Sequence, residues 1–377
     1  MNAATQAALW AAAAGVTVAL CRRLRSRAAG SRAPVPSDVP TSDVGAESVP
    51  VATVAADRAG APDARSRVPA RLPLGVAARR TPRAGTLGTL SRLVASGAVA
   101  AAGVGLWPGR AAPNREFRTH RGQTVQLYGR GLYRNDTVFV AAGQRATDGV
   151  VLTMAVPLLL AATRLHRRGS LAGHLLLVGA LATFVYVYGS AALGTVVYNE
   201  LFLLYVVLFS ASLWAFALAF TTVDRRVLAT RLAGAPRRGP AALMLASGVV
   251  TAGVWAAPLV TAVRRGGVPE RLDSYSTPVT QALDLAVITP AALLAGVRIL
   301  RRDPLGYLIA SSLLVVEVLL APLIAAQTAG QLAAGVRFPP GQVAGPIAGF
   351  LGLALAAGRT FAGVLRSVAR VPAPAAA

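Results

Sequence analysis

The feature that most limits what this chain can become is the spacing of its apolar residues. They come in blocks of about twenty, the length a helix needs to cross roughly 30 Å of hydrocarbon. Seven such blocks run over 148–164, 170–192, 197–222, 240–263, 281–300, 306–328 and 343–364. The links between them are short, so consecutive helices are expected to pack as antiparallel neighbours. Composition agrees. Of the 377 residues, 54% are hydrophobic and 14% charged, with a mean hydropathy of +0.55, whereas soluble domains carry roughly 25% charged residues. The expected fold is an all-α, polytopic transmembrane helix bundle over 148–365, multi-pass in the cytoplasmic membrane, with the lipid bilayer as its first partner.

Two weaker apolar stretches would bring the seven spans to eight or nine. One lies within 1–21 and the other at 93–107, between Arg92 and Pro108-Gly109. No positive segment precedes the first and no cleavage site follows it before Arg22, which argues against a cleaved signal peptide. Residues 22–92 are rich in Ala, Arg, Pro, Ser and Asp, and that composition predicts a tail unable to bury enough surface to offset chain entropy. Residues 108–147 are the longest polar insert. Within them TVQLYGRGLYRNDTVFV alternates and turns at Gly129-Arg130-Gly131, predicting a small external cap. Residues 366–377 are expected to form a cytoplasmic tail.

The net charge is +23, and all 38 basic residues are arginine. Without lysine there is no P-loop lysine for a nucleotide phosphate and no Schiff base to pyridoxal or retinal. A retinal protein is excluded whatever the helix count. Nucleic acid is not the expected partner either, because the arginines gather at block ends and in the tail, as topology signals do. One set of alternate links and the C-terminal end carry 14 arginines, among them Arg167, Arg225, Arg226, Arg301 and Arg302, against 4 in the opposite set. The rich side is predicted to be cytoplasmic. The insert 108–147 has seven arginines of its own, and a span at 93–107 running outward would place it outside.

Catalytic signatures are missing. Cys21 is the single cysteine and the three histidines are scattered, so neither a disulfide nor a metal site is expected. H-E-x-x-H, G-x-S-x-G and dinucleotide fingerprints are absent. No catalytic residue, metal or cofactor is assigned, and an intramembrane enzyme is disfavoured.

Polar residues inside the blocks are where function is expected, since charge in the bilayer is costly. Glu317 falls near the middle of the sixth block, where an ionised carboxylate needs a partner or a proton; it is the candidate proton-coupling residue. Glu200 opens the third block and Asp284 lies one turn into the fifth. On the topology above, both sit near the outer leaflet, with Tyr198, Asn199, Tyr275 and Gln281 in the same layer. The arginines of the insert lie above, and Arg130 and Arg134 are the expected partners of the carboxylates. As alternatives, the carboxylates are independent helix caps, the tyrosines an interfacial belt, and His174 a hydrogen-bonded interface residue. Prolines 157, 258, 290, 322 and 346 lie within the blocks and are tolerated where neighbours take up the freed carbonyls. The last block carries Gly345, Gly349 and a second small row at Ala348, Gly352 and Ala356, spacing that suits close helix packing.

The phrases YGRGLYRNDTVF, RRGSLAGHLLL, YNELFLLYVVLFSASLWAFAL, LDSYSTPVTQALDLAVITPAALLAGV and RRDPLGYL, spread over about 125–320, resemble a group of uncharacterised multi-spanning membrane proteins from actinobacteria. The resemblance implies architecture and cell-envelope location, and no activity. Three functional expectations follow from the residues: an outward-facing polar pocket for a lipid or small polar ligand, a secondary transporter coupled at Glu317, and an intramembrane enzyme. No internal repeat is evident in the sequence, which counts against the second.

Overall fold

The computed structural model describes residues 82–109, 115–119, 121–196, 199–269, 272, 275–338 and 341–369. The stretch 1–21, nearly all of the basic tail, Tyr198 and the last eight residues lie outside them. Among the described residues there are nine helices and one small hairpin. In chain order these are α1 (Pro82–Leu106), β1 (Glu116–Arg118), β2 (Thr124–Gln126), α2 (Val138–Arg167), α3 (Leu171–Gly194), α4 (Phe202–Thr221), α5 (Arg225–Leu232), α6 (Arg238–Arg264), α7 (Val279–Leu300), α8 (Pro304–Ala333) and α9 (Gly341–Ala369). All but α5 are long and apolar enough to span a bilayer. The protein is an all-α polytopic membrane protein, with eight candidate spans among the described residues.

Two boundaries differ from the sequence reading. The stretch seen at 93–107 is the second half of a helix beginning at Pro82. Arg92 hid it, yet Arg92 points outward and is exposed while Leu87, Val94 and Ala98 are buried; a long basic side chain leaves its stem on apolar surface and its charge in water. Helix α2 starts at Val138, inside the segment read as insert. Thr137 caps it by accepting from the Val140 amide, the service an N-cap hydroxyl renders to an orphan donor. Its Arg145 is tolerated because the guanidinium donates to the carbonyls of Gly105 and Leu106, both at 2.9 Å, closing the end of α1 where four carbonyls lack helical partners. The hairpin is made by β1 and β2, antiparallel with Phe117 opposite Val125. The chain also turns back at Gly129 and Gly131 as expected, both at positive φ.

Helix α5 lies in the arginine-rich link, where Asp224 accepts from the amides of Arg226 and Val227 at 2.8 and 3.2 Å. Asp224 is thus a cap.

The spans repeat. Helix α2 opens into a π turn at Val151–Ala155 just before Pro157, and α7 does the same at Asp284–Ile288 just before Pro290. Both π turns and both prolines are separated by the same 133 positions (157 to 290), and so are the ends of the two helices, Arg167 and Leu300, and the starts of the next, Leu171 and Pro304. The register holds at the side chains. Gly169 and Arg302 both take positive φ, at 76° and 61°, and hand over to the N-caps Ser170 and Asp303. Gly173 packs on the backbone of Leu165 and His166, and Gly306 on that of Arg298 and Ile299. A proline removes one helical hydrogen bond and crowds the preceding turn, and a π turn is one way to absorb it.

Packing follows the same scheme. Helix α1 packs on α2 and α4, α2 on α3, and α3 on α4; in turn α6 packs on α7, α7 on α8, and α8 on α9. Equivalent helices α3 and α8 cross each other, with Gly179 seated against Ser311 and Val315. The bundle is therefore two four-helix units with the same order of neighbours, α1–α4 and α6–α9, which meet at α3 and α8. The units are not identical: α1 and α4 pack closely, whereas α6 meets α9 only marginally, and α8 packs on α2 more extensively than α3 does on α7. Contrary to the sequence reading, an internal repeat is present. The small row of α9 also departs from expectation, since Gly345, Gly349 and Gly352 face open space.

Candidate functional site

Polar side chains collect in three places. The first is at the end of the bundle opposite the arginine-rich links, where the turn after β2 brings Tyr133 over α2. Its hydroxyl donates to Asp148 Oδ2 at 2.8 Å and lies 3.3 Å from the Tyr205 hydroxyl. Tyr205 stacks on Tyr188, which stacks on Phe184. Gly105 of α1 lies flat against this group; a β-carbon there would collide with the Asp148 carboxylate and the Tyr133 hydroxyl. Beside it, Asp136 accepts from the Tyr275 hydroxyl at 2.6 Å, and Arg121 donates to the Tyr275 carbonyl at 3.3 Å. Asn199 accepts from the Leu201 amide at 2.9 Å.

Asp136 and Asn199 are 1% and 3% exposed, and each keeps one buried atom without a partner, Asp136 Oδ2 and Asn199 Nδ2. An acceptor and a donor are thus both left open in the same cluster. Burial pushes the Asp136 carboxyl up to about 6, with the Tyr275 bond pulling the other way. The Tyr133 hydroxyl is pushed well above its usual value by burial and then by the nearby Asp148 carboxylate.

The residues expected from sequence divide between this layer and the next. Glu200 forms an ion pair with Arg134, one of its two expected partners, and both are substantially exposed. The hydrogen bond from Arg134 holds the Glu200 carboxyl below its usual range. Arg130 is exposed. Asp284 belongs to a second group. It is the first residue of the α7 π turn, accepts from Trp255 Nε1 of α6 at 2.7 Å, and is bonded by Tyr186 of α3. Glu200 and Asp284 therefore have separate partners. Gln281 stands one turn before Asp284, at the register position that Asp148 holds in α2.

The third group is at mid-depth in the second unit. Glu317 of α8, 5% exposed, accepts from Ser247 of α6 at 2.6 Å, and its Oε2 is unpaired. Beside Ser247, Gly248 packs on the backbone of Thr289, whose buried hydroxyl is also unpaired. The position equivalent to Glu317 in the first unit is Phe184, and that of Asp284 is Val151, so these two carboxyls are found in one unit only.

His174 bonds the Ala219 carbonyl at 2.9 Å, the hydrogen bond expected of it. Among the described residues no group of three His, Cys, Asp or Glu side chains is placed to hold a metal. Sequence reasoning missed Asp136 and Asp148. Asp136 precedes the capping Thr137 in an Asn-Asp-Thr run, and Asp148 is nine residues ahead of a proline that breaks its helix; both signals are local, and neither predicts burial. No protein-family profile matches the chain, and neither a curated protein nor a solved structure is found to be similar to it.

Proposed function

We propose that this protein is a secondary transporter for a small polar solute, with Glu317 as the titrating residue. The observation that carries the reading is the repeat in which each unit holds a span broken at the same register by a π turn and a proline. Carrier folds place solute and coupling-ion sites at broken helices near the bilayer midplane, between repeated units that rock against each other. The second unit supplies the chemistry, with Ser247, Thr289 and Glu317 at mid-depth and Asp284 on the π turn. Asn199, Glu200, Tyr275 and Gln281, with Arg130 and Arg134, then form the outer vestibule. The fatty interior around Glu317 makes its proton costly to lose without a partner, which suits a group that exchanges proton for solute.

Alternating access is the test. In a Cys21→Ser background, Ser247→Cys is exposed to a membrane-impermeant thiol reagent in right-side-out and inverted vesicles. Labelling from both faces is expected, with the ratio of the two shifted strongly when Glu317→Gln is added. Labelling from one face only, or none while a surface cysteine at Val268 reacts, overturns the reading.

One observation favours a second reading, a receptor-like binding site in the outer layer. The open acceptor on Asp136 and open donor on Asn199 suit a ligand presenting a hydroxyl or amide. One-sided accessibility at position 247 would turn the assignment to that site.

A further inference from the structure

One place where the two units differ is also where a cavity opens. In the first unit α1 and α4 pack through Gly97 against Leu208. In the second unit the equivalent helices α6 and α9 meet only marginally, and a groove of about 470 Å³ lies between them at the arginine-rich end. Small or short side chains make the walls: Gly239, Pro240 and Leu243 on α6, Ala356 and Gly363 on α9. Tyr307 lies at its floor, with its hydroxyl already committed to the Pro236 carbonyl at 2.9 Å.

Two arginines of α9, Arg359 and Arg366, line the groove. They are seven residues apart, two turns on one face, or about 10 Å along the axis, and Gly363 keeps the space between them clear. Both are exposed, and among the described residues neither has an acidic partner. Arg359 stands ten residues before the end of α9 at Ala369, roughly 15 Å inside the helix terminus. A guanidinium at that depth requires an anion or a route to the headgroup layer. Arg237 and Arg238 open α6 at the same rim. Away from the rim the surface is apolar, with Leu351 and Leu355 on α9 and Val249 and Val250 on α6 all half exposed or more.

We infer that the α6–α9 groove is a binding site for an anionic phospholipid of the leaflet on the arginine-rich side. The phosphodiester lies between Arg359 and Arg366, and an acyl chain runs up the apolar faces of α6 and α9, occupying the seam that α1 and α4 close by direct contact. Basic pockets between spans on the positive side commonly take such headgroups. A lipid, not a soluble anion, is the occupant because the basic rim continues into apolar surface at bilayer depth.

The full-length protein, purified in a non-ionic detergent, is titrated with phosphatidylglycerol, phosphatidylcholine or glycerol phosphate, with melting temperature and lipids retained in native mass spectra as readouts. Phosphatidylglycerol alone is expected to raise the melting temperature and to be retained. Arg359→Gln with Arg366→Gln should weaken it roughly thirtyfold, the loss of two headgroup charges. Arg226→Gln with Arg301→Gln, equally basic positions at the same end but off the groove, should leave it unchanged. Equal stabilisation by phosphatidylcholine, by glycerol phosphate, or of the groove variant overturns the assignment. Fitting the variant's melting temperature without lipid separates a folding defect from a lost site.

Discussion

Asp136 couples the cluster around Tyr133 and Tyr275 to pH in a direction fixed by its surroundings. Its carboxyl is raised from 3.8 to about 6, chiefly by burial. A carboxyl that holds its proton more tightly when folded contributes stability below its unfolded value and loses it as pH rises through the folded one. The protein is therefore expected to lose stability from this residue between about pH 4 and pH 6, by up to about 3 kcal/mol at 1.36 kcal/mol per unit. Asp136→Asn should flatten that part of the melting-temperature profile. Tyr275→Phe removes the bond that opposes the shift, so it should move the inflection to higher pH. A wild-type profile already flat from pH 4 to 7 would contradict the assignment. In the membrane interior Glu317 depends on a single bond from Ser247, and a buried acceptor that loses its only donor costs about 1–3 kcal/mol.

At the level of elements, glycine decides which helices meet. A β-carbon at Gly173 would sit 2.7 Å from the Leu165 carbonyl carbon, and one at Gly306 would sit 2.6 Å from the Ile299 amide nitrogen. Neither backbone can withdraw without opening the link between paired spans. Gly173→Ala and Gly306→Ala are each expected to destabilise by about 1–3 kcal/mol, the usual cost of overpacking. Gly349 and Gly352 of α9 meet nothing within 4 Å. Alanine there should be neutral or stabilising by up to about 1 kcal/mol through helix propensity alone. Melting temperatures of the four variants test the contrast. Similar losses at all four positions would show that the α9 row is packed against something in the folded protein.

For the whole molecule, the arrangement of charge should set orientation. Helix α5 and the links after α2 and α7 share one end of the bundle, and the arginine excess is at that end. With cysteines introduced one at a time in the Cys21→Ser background, Thr230→Cys on α5 should react with an impermeant reagent only in inverted vesicles. Val268→Cys, between α6 and α7, should react only in right-side-out ones. The opposite pattern would invert the bundle and place the Glu200 layer inside the cell. The proposed lipid leaflet would invert with it.

The sequence by itself determined the spans. Twenty apolar residues leave backbone groups that only a helix can satisfy in hydrocarbon, so seven of the eight candidate spanning helices among the described residues were legible block by block. The eighth, α1, was half visible because its outward Arg92 breaks the pattern without breaking the helix. Side-chain partnerships depended on tertiary contacts. Arg134 with Glu200 followed from their shared layer, but Asp148 with Tyr133 and Glu317 with Ser247 join residues whose spacing carries no periodic signal. The repeat was hidden for a related reason. What the two units share is backbone geometry, a π turn before proline and a left-handed residue before a cap, and that geometry accepts Gly169 in one copy and Arg302 in the other. Where the units diverge, an open seam between α6 and α9 against a closed one between α1 and α4, only the packing of whole helices could decide.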